Sequence, residues 1–191
     1  MIRKINEDLR FGLIHLPDYS AITEITAKRE LEKNATAFLL EKLFNKTVEL
    51  SYNEEGKPEL KDETCHISIS HSHDKLVILC NKNCQTGVDI ELIRDKVLKI
   101  KDKFLSEKEL KEAKDNVEKL IICWAAKEAL YKLYGLKEVE FAKHLFVHPF
   151  QLNQEGALLG EINLDSFRKK FNLHYEKLDD YMLVYVIDEL K

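Results

Sequence analysis

The sequence predicts an α+β fold built from two similar subdomains, each a helical block packed on a small antiparallel sheet. Segments with apolar residues at helical spacing alternate with short segments that carry strand patterns, and turn residues separate neighbouring strands. This order of elements occurs twice. It predicts an N-terminal subdomain over residues 1–85 and a C-terminal subdomain over residues 86–191. No sequence repeat is visible, so the division depends on element order alone.

The first half is predicted to contain a strand, a long helix and then further strands. Residues 23–44 are expected to form the helix, because Leu31, Ala35 and Leu39 recur at the spacing of one helical face. Residues 54–58 include Gly56 and Pro58 and predict a turn. The predicted strands of this half cover residues 11–16, 48–52, 65–70 and 75–80.

The second half is predicted to begin with a strand over residues 87–93, followed by helices and a closing set of strands. Ser106 and Glu109 have the spacing of a capping box, so a helix is expected to begin there. The predicted helices cover residues 96–103, 106–114 and 119–134, and the closing strands cover residues 145–152, 157–164, 171–178 and 181–187.

The composition excludes several classes of protein. The hydrophobic content of 45% and the charged content of 34% are those of an ordinary soluble protein. A formal net charge of −4 argues against general nucleic-acid binding. Residues 1–10 lack the apolar segment of a secretory signal, and no apolar run approaches the roughly 20 residues that cross a bilayer. We therefore expect a cytoplasmic protein that contacts neither nucleic acid nor membrane.

The four cysteines indicate a reducing compartment. They are Cys65, Cys80, Cys84 and Cys123, and three of them lie in apolar surroundings, which predicts buried thiols. A zinc site formed by Cys80 and Cys84 with the nearby histidines at positions 71 and 73 is an alternative, but the spacing matches no common zinc pattern.

Two acidic residues in a predicted strand are the first candidates for chemistry. Asp89 and Glu91 alternate with Val88 and Ile90, so both carboxylates point to the same side of the strand. An Asp-x-Glu pair on a strand is common by chance and usually lies on a solvated face. Here the surrounding residues are apolar enough to be buried, and a buried carboxylate is costly without a partner. This favours a functional role.

A helix supplies a third acid and a cation. Trp124, Glu128 and Lys132 are four residues apart and lie on one helical face. Such a helix is more often amphipathic, with a core tryptophan and surface charges. Combined with the two acids of the strand, however, it can enclose Mg²⁺, which prefers carboxylates, phosphate oxygens and water, together with a diphosphate.

Five motifs in order resemble the 4′-phosphopantetheinyl transferase superfamily. They are residues 56–58 (Gly-Lys-Pro), 67–72 (Ile-Ser-Ile-Ser-His-Ser), 87–91 (Gly-Val-Asp-Ile-Glu), 103–106 with Glu109, and 124–132. The position of the acidic motif near mid-chain is similar to the long, Sfp-like class. That resemblance implies an intramolecular pseudo-dimer with the site between its halves, and hence a monomer.

The resemblance implies an enzyme that transfers the 4′-phosphopantetheine group of coenzyme A to a serine of an apo acyl or peptidyl carrier protein. It implies Asp89, Glu91 and Glu128 as Mg²⁺ ligands, and Lys132 as the contact to the diphosphate. Glu128 is also implied as the base, directly or through water, with Glu109 as a weaker candidate for supporting that step. The implied coenzyme A contacts are Lys28, Arg29, Lys57, Ser70, His71 and Lys132.

The first helix departs from the family pattern. Ala37 stands where related long-class sequences usually carry an arginine that contacts the nucleotide phosphate, and Lys33 one turn earlier is a possible substitute. Without the motifs downstream, Lys28, Arg29 and Lys33 would be better interpreted as a solvated helix face, and His71 as a turn residue.

Two further functions are consistent with the same residues. One is a homologue that binds coenzyme A or a nucleotide but has lost turnover, and the other is an unrelated metal-dependent phosphohydrolase. No motif identifies the carrier protein. Carriers are generally acidic, so the lysines at positions 96, 99, 101 and 103 are a candidate docking surface or, equally, a solvated face.

Overall fold

The computed structural model describes residues 1–62 and 64–190, and the contacts divide the chain into two compact units, Met1–Thr86 and Gly87–Lys191. Each unit contains helices and one antiparallel sheet, so the predicted α+β class is confirmed. Among the helices of the described residues, none combines the length and apolar character needed to span a bilayer.

The first unit is a six-stranded antiparallel sheet with two helices. The strand order is β1-β2-β6-β5-β4-β3. The helices are α1 (Leu16–Thr23) and α2 (Lys28–Phe44), and the strands are β1 (Ile2–Lys4), β2 (Leu9–His15), β3 (Leu50–Tyr52), β4 (Pro58–Leu60), β5 (His66–Ser72) and β6 (Lys75–Asn81). Helix α2 buries Ala35, Leu39 and Leu43 in a core shared with Ile67 and Ile78 of the sheet.

The predicted helix over residues 23–44 begins later than expected. Helix α1, which the sequence analysis missed, ends where Glu24 adopts a left-handed backbone conformation (φ 58°). A left-handed residue cannot continue a right-handed helix. The chain therefore starts a new helix at Lys28 rather than extending one helix through this region.

The second unit has a five-stranded antiparallel sheet in the order β7-β11-β10-β9-β8. Its strands are β7 (Val88–Leu92), β8 (Leu145–Val147), β9 (Glu155–Leu164), β10 (Phe167–Leu178) and β11 (Tyr181–Glu189). Its α-helices are α3 (Lys101–Phe104), α4 (Glu107–Ala113), α5 (Val117–Tyr134) and α6 (Phe141–His144). Helix α5 packs on the sheet and buries Ile122, Ala126 and Leu130 against Leu173 and Val184.

Two predicted elements of this unit are wrong in part. Residues 96–103 form a 3₁₀ helix (Asp95–Lys99) followed by the short helix α3, because Ile100 leaves the helical region with φ −122°. The strand predicted over residues 145–152 ends at Val147, two residues before Pro149, which has no N–H for a ladder. The capping box is confirmed, because Ser106 and Glu109 exchange both of its hydrogen bonds.

Gly87 sets the distance between β7 and α5. A Cβ atom added there would lie 1.8 Å from the carbonyl oxygen of Ala129 and 2.8 Å from its carbonyl carbon. Both atoms belong to the backbone of α5, so no side-chain rotation relieves the overlap. The absence of a side chain at Gly87 therefore lets the strand begin in direct contact with the helix backbone.

We expect Gly87→Ala to destabilise the second unit by about 2–4 kcal/mol, because the strand must move away from α5. Gly12→Ala is the control: its Cβ would meet side chains of Leu39 and Ile2, which can rotate, so its cost should be smaller. Denaturant unfolding of the two variants measures the difference. A loss for Gly87→Ala no greater than that for Gly12→Ala would contradict this account.

Candidate active site

Strand β7 directs two carboxylates toward α5. Asp89 pairs with Val184 and Glu91 with Met182 of β11, and both of these apolar partners belong to the core beneath the helix. The alternation of a strand places Asp89 and Glu91 on that same face. Asp89 is 4% exposed, so it is a buried carboxylate among apolar neighbours.

Helix α5 brings three side chains to these acids. Lys132 Nζ donates hydrogen bonds to Asp89 Oδ1 at 2.6 Å and to the carbonyl oxygen of Val88 at 3.2 Å. Trp124 Nε1 donates to Glu91 Oε1 at 2.8 Å, so the half-buried tryptophan is both a core residue and a partner of the site. Glu128 lies one turn from each of these residues on the same helical face.

The three acids interact electrostatically. The pKa of Glu128 is raised to about 7, mainly by burial and next by the negative charge of Asp89. Lys132 acts in the opposite direction, and Glu91 adds a smaller unfavourable contribution. A divalent cation would relieve the repulsion among these carboxylates. The oxygen donors of Asp89, Glu91 and Glu128 fit a hard cation such as Mg²⁺.

A 480 Å³ cavity lies beside Glu128. Its walls are mainly apolar and aromatic, with Phe104, Trp124, Tyr131 and Phe141 among the lining residues. The ring of Trp124 packs between Phe104, at 5.0 Å between centroids, and Phe141, at 5.6 Å. The site therefore combines a strongly polar group of acids with an adjoining apolar compartment.

Beneath this wall lies a buried ion pair. Lys127 is 0% exposed, and its Nζ donates to Glu109 Oε2 at 2.8 Å. Burial lowers the pKa of Lys127, and the charge of Glu109 opposes that change. Glu109 Oε2 also accepts from Ser106, and its Oε1 accepts from the backbone N–H of Val147. Both oxygens are engaged by the protein, which argues against the supporting role in proton transfer expected for Glu109.

In the first unit, the expected phosphate contacts Lys28 and His71 both lie near Glu32, a residue to which no role was assigned from the sequence. Lys28 Nζ lies 3.8 Å and His71 Nε2 lies 3.5 Å from Glu32 Oε1. The signal available in the sequence was the i,i+4 spacing of Lys28 and Glu32, which predicts an ion pair on a helix. The approach of His71 from β5 is a tertiary contact that spacing cannot show.

The other expected coenzyme A contacts on α2 and β5 differ in solvent exposure. Arg29, like Lys33 and Ala37, is exposed on α2, so an arginine at position 37 would also have projected from the surface of this helix. Ser70 is buried on β5, 5% exposed.

Lys57 lines a second cavity, of about 550 Å³, within the first unit. Lys57 Nζ donates to Gln85 Oε1 at 2.5 Å, and Gln85 Nε2 lies 3.2 Å from His66 Nδ1. Burial lowers the pKa of Lys57, and Glu59 partly offsets the change. Gln85 is a further polar residue of this region that no motif indicated, because its contact to Lys57 spans 28 positions of sequence.

The alternative metal site receives no support from the described residues. All four cysteines are free, and Cys84 is exposed whereas Cys80 is buried. The group of potential ligands whose atoms lie within 4.8 Å of one another is Glu155, His174 and Glu176, on the other face of the sheet from Asp89. Because the side chain of Glu155 is 67% exposed and exposed acidic groups are common without a bound ion, we assign no metal to this group.

The site combines the buried carboxylate of Asp89 and the half-buried carboxylates of Glu91 and Glu128 with Lys132 and an adjoining apolar compartment. These groups are of the type with which enzymes hold a divalent cation beside a phosphorylated substrate. The sequence profile of the 4′-phosphopantetheinyl transferase superfamily matches residues 85–186, more than half of the chain, and the chain belongs to this superfamily. The resemblance found in the motifs is thereby confirmed at this level. A comparison with curated proteins finds no match.

Membership of the superfamily indicates phosphopantetheinyl transferase activity, with coenzyme A and carrier proteins as partners and a divalent metal as cofactor. The matched residues contain the two acids of β7 and the whole of α5, so the family signal and the acidic site coincide.

Glu128→Gln should stabilise the protein in the absence of metal. The pKa of Glu128 is raised in the folded state, so stability falls as the pH rises from the ordinary glutamate value through about 7. Removing the charge should therefore increase the free energy of unfolding by about 1–3 kcal/mol at pH 8, with a much smaller gain at pH 5. Thermal unfolding in chelator at the two pH values measures this. A gain that is equal at both values would contradict the electrostatic cause.

Proposed function

We propose that this protein transfers the 4′-phosphopantetheine group of coenzyme A to a serine of an apo acyl or peptidyl carrier protein, with Mg²⁺ as cofactor and adenosine 3′,5′-bisphosphate as the second product. The observation that carries the proposal is the meeting of β7 and α5. There Lys132 donates a hydrogen bond to Asp89, and Trp124 donates one to Glu91. Glu128 lies between Trp124 and Lys132 on the same helical face, and its pKa is raised.

The chemistry requires positioning and charge stabilisation more than a protein nucleophile. The carrier serine oxygen forms a bond to the phosphorus that bears pantetheine, and the bond from that phosphorus to the bridging oxygen of the diphosphate breaks. Asp89, Glu91 and Glu128 would hold Mg²⁺, which when bound neutralises charge on the diphosphate. Lys132 supplies a cation at the same point, 2.6 Å from Asp89.

The serine must lose a proton as its oxygen attacks. Glu128 is the proposed proton acceptor, directly or through one water. Its surroundings raise its pKa to about 7, which makes it a stronger base than an ordinary glutamate. Glu109 is a poorer acceptor, because Lys127, Ser106 and Val147 already occupy its oxygens.

The cavity beside Glu128 suits the pantetheine arm. That arm is a long, uncharged chain of aliphatic segments joined by amides and attached to a diphosphate, so a largely apolar compartment next to a charged site can accommodate it. The aromatic side chains of Phe104, Trp124 and Phe141 provide such a compartment within the second unit. Lys28, Arg29, Lys57, Ser70 and His71 are the proposed contacts to the nucleotide part of coenzyme A.

We further propose the long class of the superfamily, in which one chain supplies both subdomains, and hence a monomer. The presence of two compact units with a sheet in each supports this assignment. A cytoplasmic location is proposed from the free cysteines and from the substrates. Lys96, Lys99 and Lys103 are exposed and form the proposed carrier-docking surface, together with Lys101, which pairs with Asp115.

The second candidate function is a homologue that binds coenzyme A but has lost turnover. It is favoured by Ala37 and by Glu32, which places negative charge beside Lys28 and His71, two residues expected to hold a phosphate. Incubation with coenzyme A, Mg²⁺ and several apo carriers separates the candidates. A carrier mass increased by one phosphopantetheine supports the transferase. Binding of coenzyme A without modification of any carrier supports the homologue, and product release without a carrier supports a hydrolase.

Loss of a carboxylate at the acidic site should appear mainly in kcat. Asp89→Asn and Glu91→Gln retain the shape of the side chains but remove charge that the transition state needs, so each should lower kcat at least tenfold, about 1.4 kcal/mol. Asp95→Asn, an exposed acid of the 3₁₀ helix, is the control and should retain parental activity. Rates for both site variants within about threefold of the parent would refute the metal assignment.

The cations of the first unit should discriminate coenzyme A from 3′-dephospho-coenzyme A. Lys28→Ala and His71→Ala should each lower the affinity for coenzyme A by about tenfold, because charge-assisted contacts to one phosphate are lost. The affinity for the dephospho compound should change little. Glu32→Gln removes the competing carboxylate and should shift the preference in the opposite direction. Calorimetric titration of each variant with both ligands measures these affinities. An equal loss of affinity for the two ligands would reject this placement of the 3′-phosphate.

A further inference from the structure

The ammonium group of Lys127 is fully enclosed, and each of its three protons has an acceptor. Lys127 Nζ lies 2.7 Å from the carbonyl oxygen of Phe104, 2.8 Å from Glu109 Oε2 and 3.2 Å from the carbonyl oxygen of Phe141. A lysine side chain is almost never fully buried unless it is paired. The geometry of this group is therefore specified by three directed bonds rather than by packing alone.

The three acceptors belong to three different helices, two of them consecutive in the chain and the third more than 30 residues further on. Phe104 ends α3, Glu109 lies in the first turn of α4, and Phe141 begins α6. Glu109 extends the connection to β8 through the N–H of Val147 at 2.9 Å. One charged group on α5 thus holds four separate segments in fixed positions relative to the helix.

The segments held by Lys127 also form the wall of the 480 Å³ cavity. The backbone carbonyl oxygens of Phe104 and Phe141 accept hydrogen bonds from Lys127. The rings of both residues pack against Trp124, and the ring of Phe141 also lies 5.5 Å from that of Tyr131. The neighbouring residue on α5, Glu128, lines the same cavity. The separation of the two aromatic walls is therefore tied to the position of one ammonium group.

We propose that Lys127 is a positioning residue that sets the width of this cavity and thereby the fit of the pantetheine arm, with Glu109 as its buried counter-ion. The proposal rests on the proposed function, because it takes the arm as the occupant of the cavity. It assigns Lys127 and Glu109 no contact with the reacting atoms. Their effect is exerted through the backbone of Phe104 and Phe141.

An apolar side chain at position 127 would not perform this role. Replacing a whole buried ion pair by apolar residues is often neutral for stability, so stability alone does not account for the charges. Two carbonyl oxygens of the wall, however, point at the ammonium group and would lose their donor. They would turn toward other partners, and the wall would move with them.

The test compares two ligands that differ in the arm. Coenzyme A carries the arm, whereas adenosine 3′,5′-bisphosphate lacks it. Lys127→Met, Glu109→Gln and the double variant should each weaken coenzyme A, by about tenfold or more for Lys127→Met, because small displacements of a binding wall are costly. The bisphosphate should bind each folded variant within about twofold of the parent. Lys111→Met, an exposed lysine of α4, is the control and should change neither affinity.

The outcomes separate this inference from the proposed function. If the parent itself fails to bind coenzyme A, the proposed function is wrong. The positioning role is overturned if the parent binds coenzyme A but the folded variants lose affinity for both ligands equally. It is also overturned if the folded variants keep the parental affinity for both ligands. Glu109→Gln retains one acceptor oxygen for Lys127 and Ser106 and loses the bond from the Val147 N–H, so it is the milder variant if Lys127→Met unfolds. Unfolding of all three variants would show a purely structural pair and would also overturn the proposal.

Discussion

The close packing of α5 on β7 is the constraint on which the second unit depends. Gly87 permits the strand to start against the helix backbone at Ala129, and at that distance Lys132 bonds both Asp89 and the carbonyl oxygen of Val88. The same approach brings Trp124 to Glu91. Tight packing, the arrangement of the acids and the position of the lysine therefore have one common cause.

The electrostatics of this packing favour a ligand-binding role over a purely structural one. Asp89, Glu91 and Glu128 crowd negative charge into a partly buried volume, and the raised pKa of Glu128 reflects the cost. A folded protein can tolerate such a cost where a ligand offsets it. In the first unit, by contrast, a carboxylate lies beside the expected phosphate contacts, because Glu32 Oε1 is 3.8 Å from Lys28 and 3.5 Å from His71.

The sequence predicted what depends on local spacing. The alternation of β7 placed Asp89 and Glu91 on one face, and the four-residue spacing of α5 placed Glu128 and Lys132 on another. Elements of three or four residues, such as β1, β4 and α6, were missed, because so short a segment shows its period only about once and cannot be distinguished from a loop by pattern. The bonds from Lys127 to Phe104, Glu109 and Phe141, like that from Lys57 to Gln85, join residues far apart in sequence, and no local pattern encodes them.

The enclosure of Lys127 with Glu109 has an evolutionary consequence. A substitution of either residue alone leaves one charge buried without a counter-ion, and such intermediates are typically 3–5 kcal/mol less stable, roughly a third or more of the stability of an ordinary domain. Descendants that keep one member of the pair are thus under selection to keep the other. We expect the two residues to be inherited together. Lineages that lose the pair should have replaced both residues, because a protein with only one of them replaced is less stable.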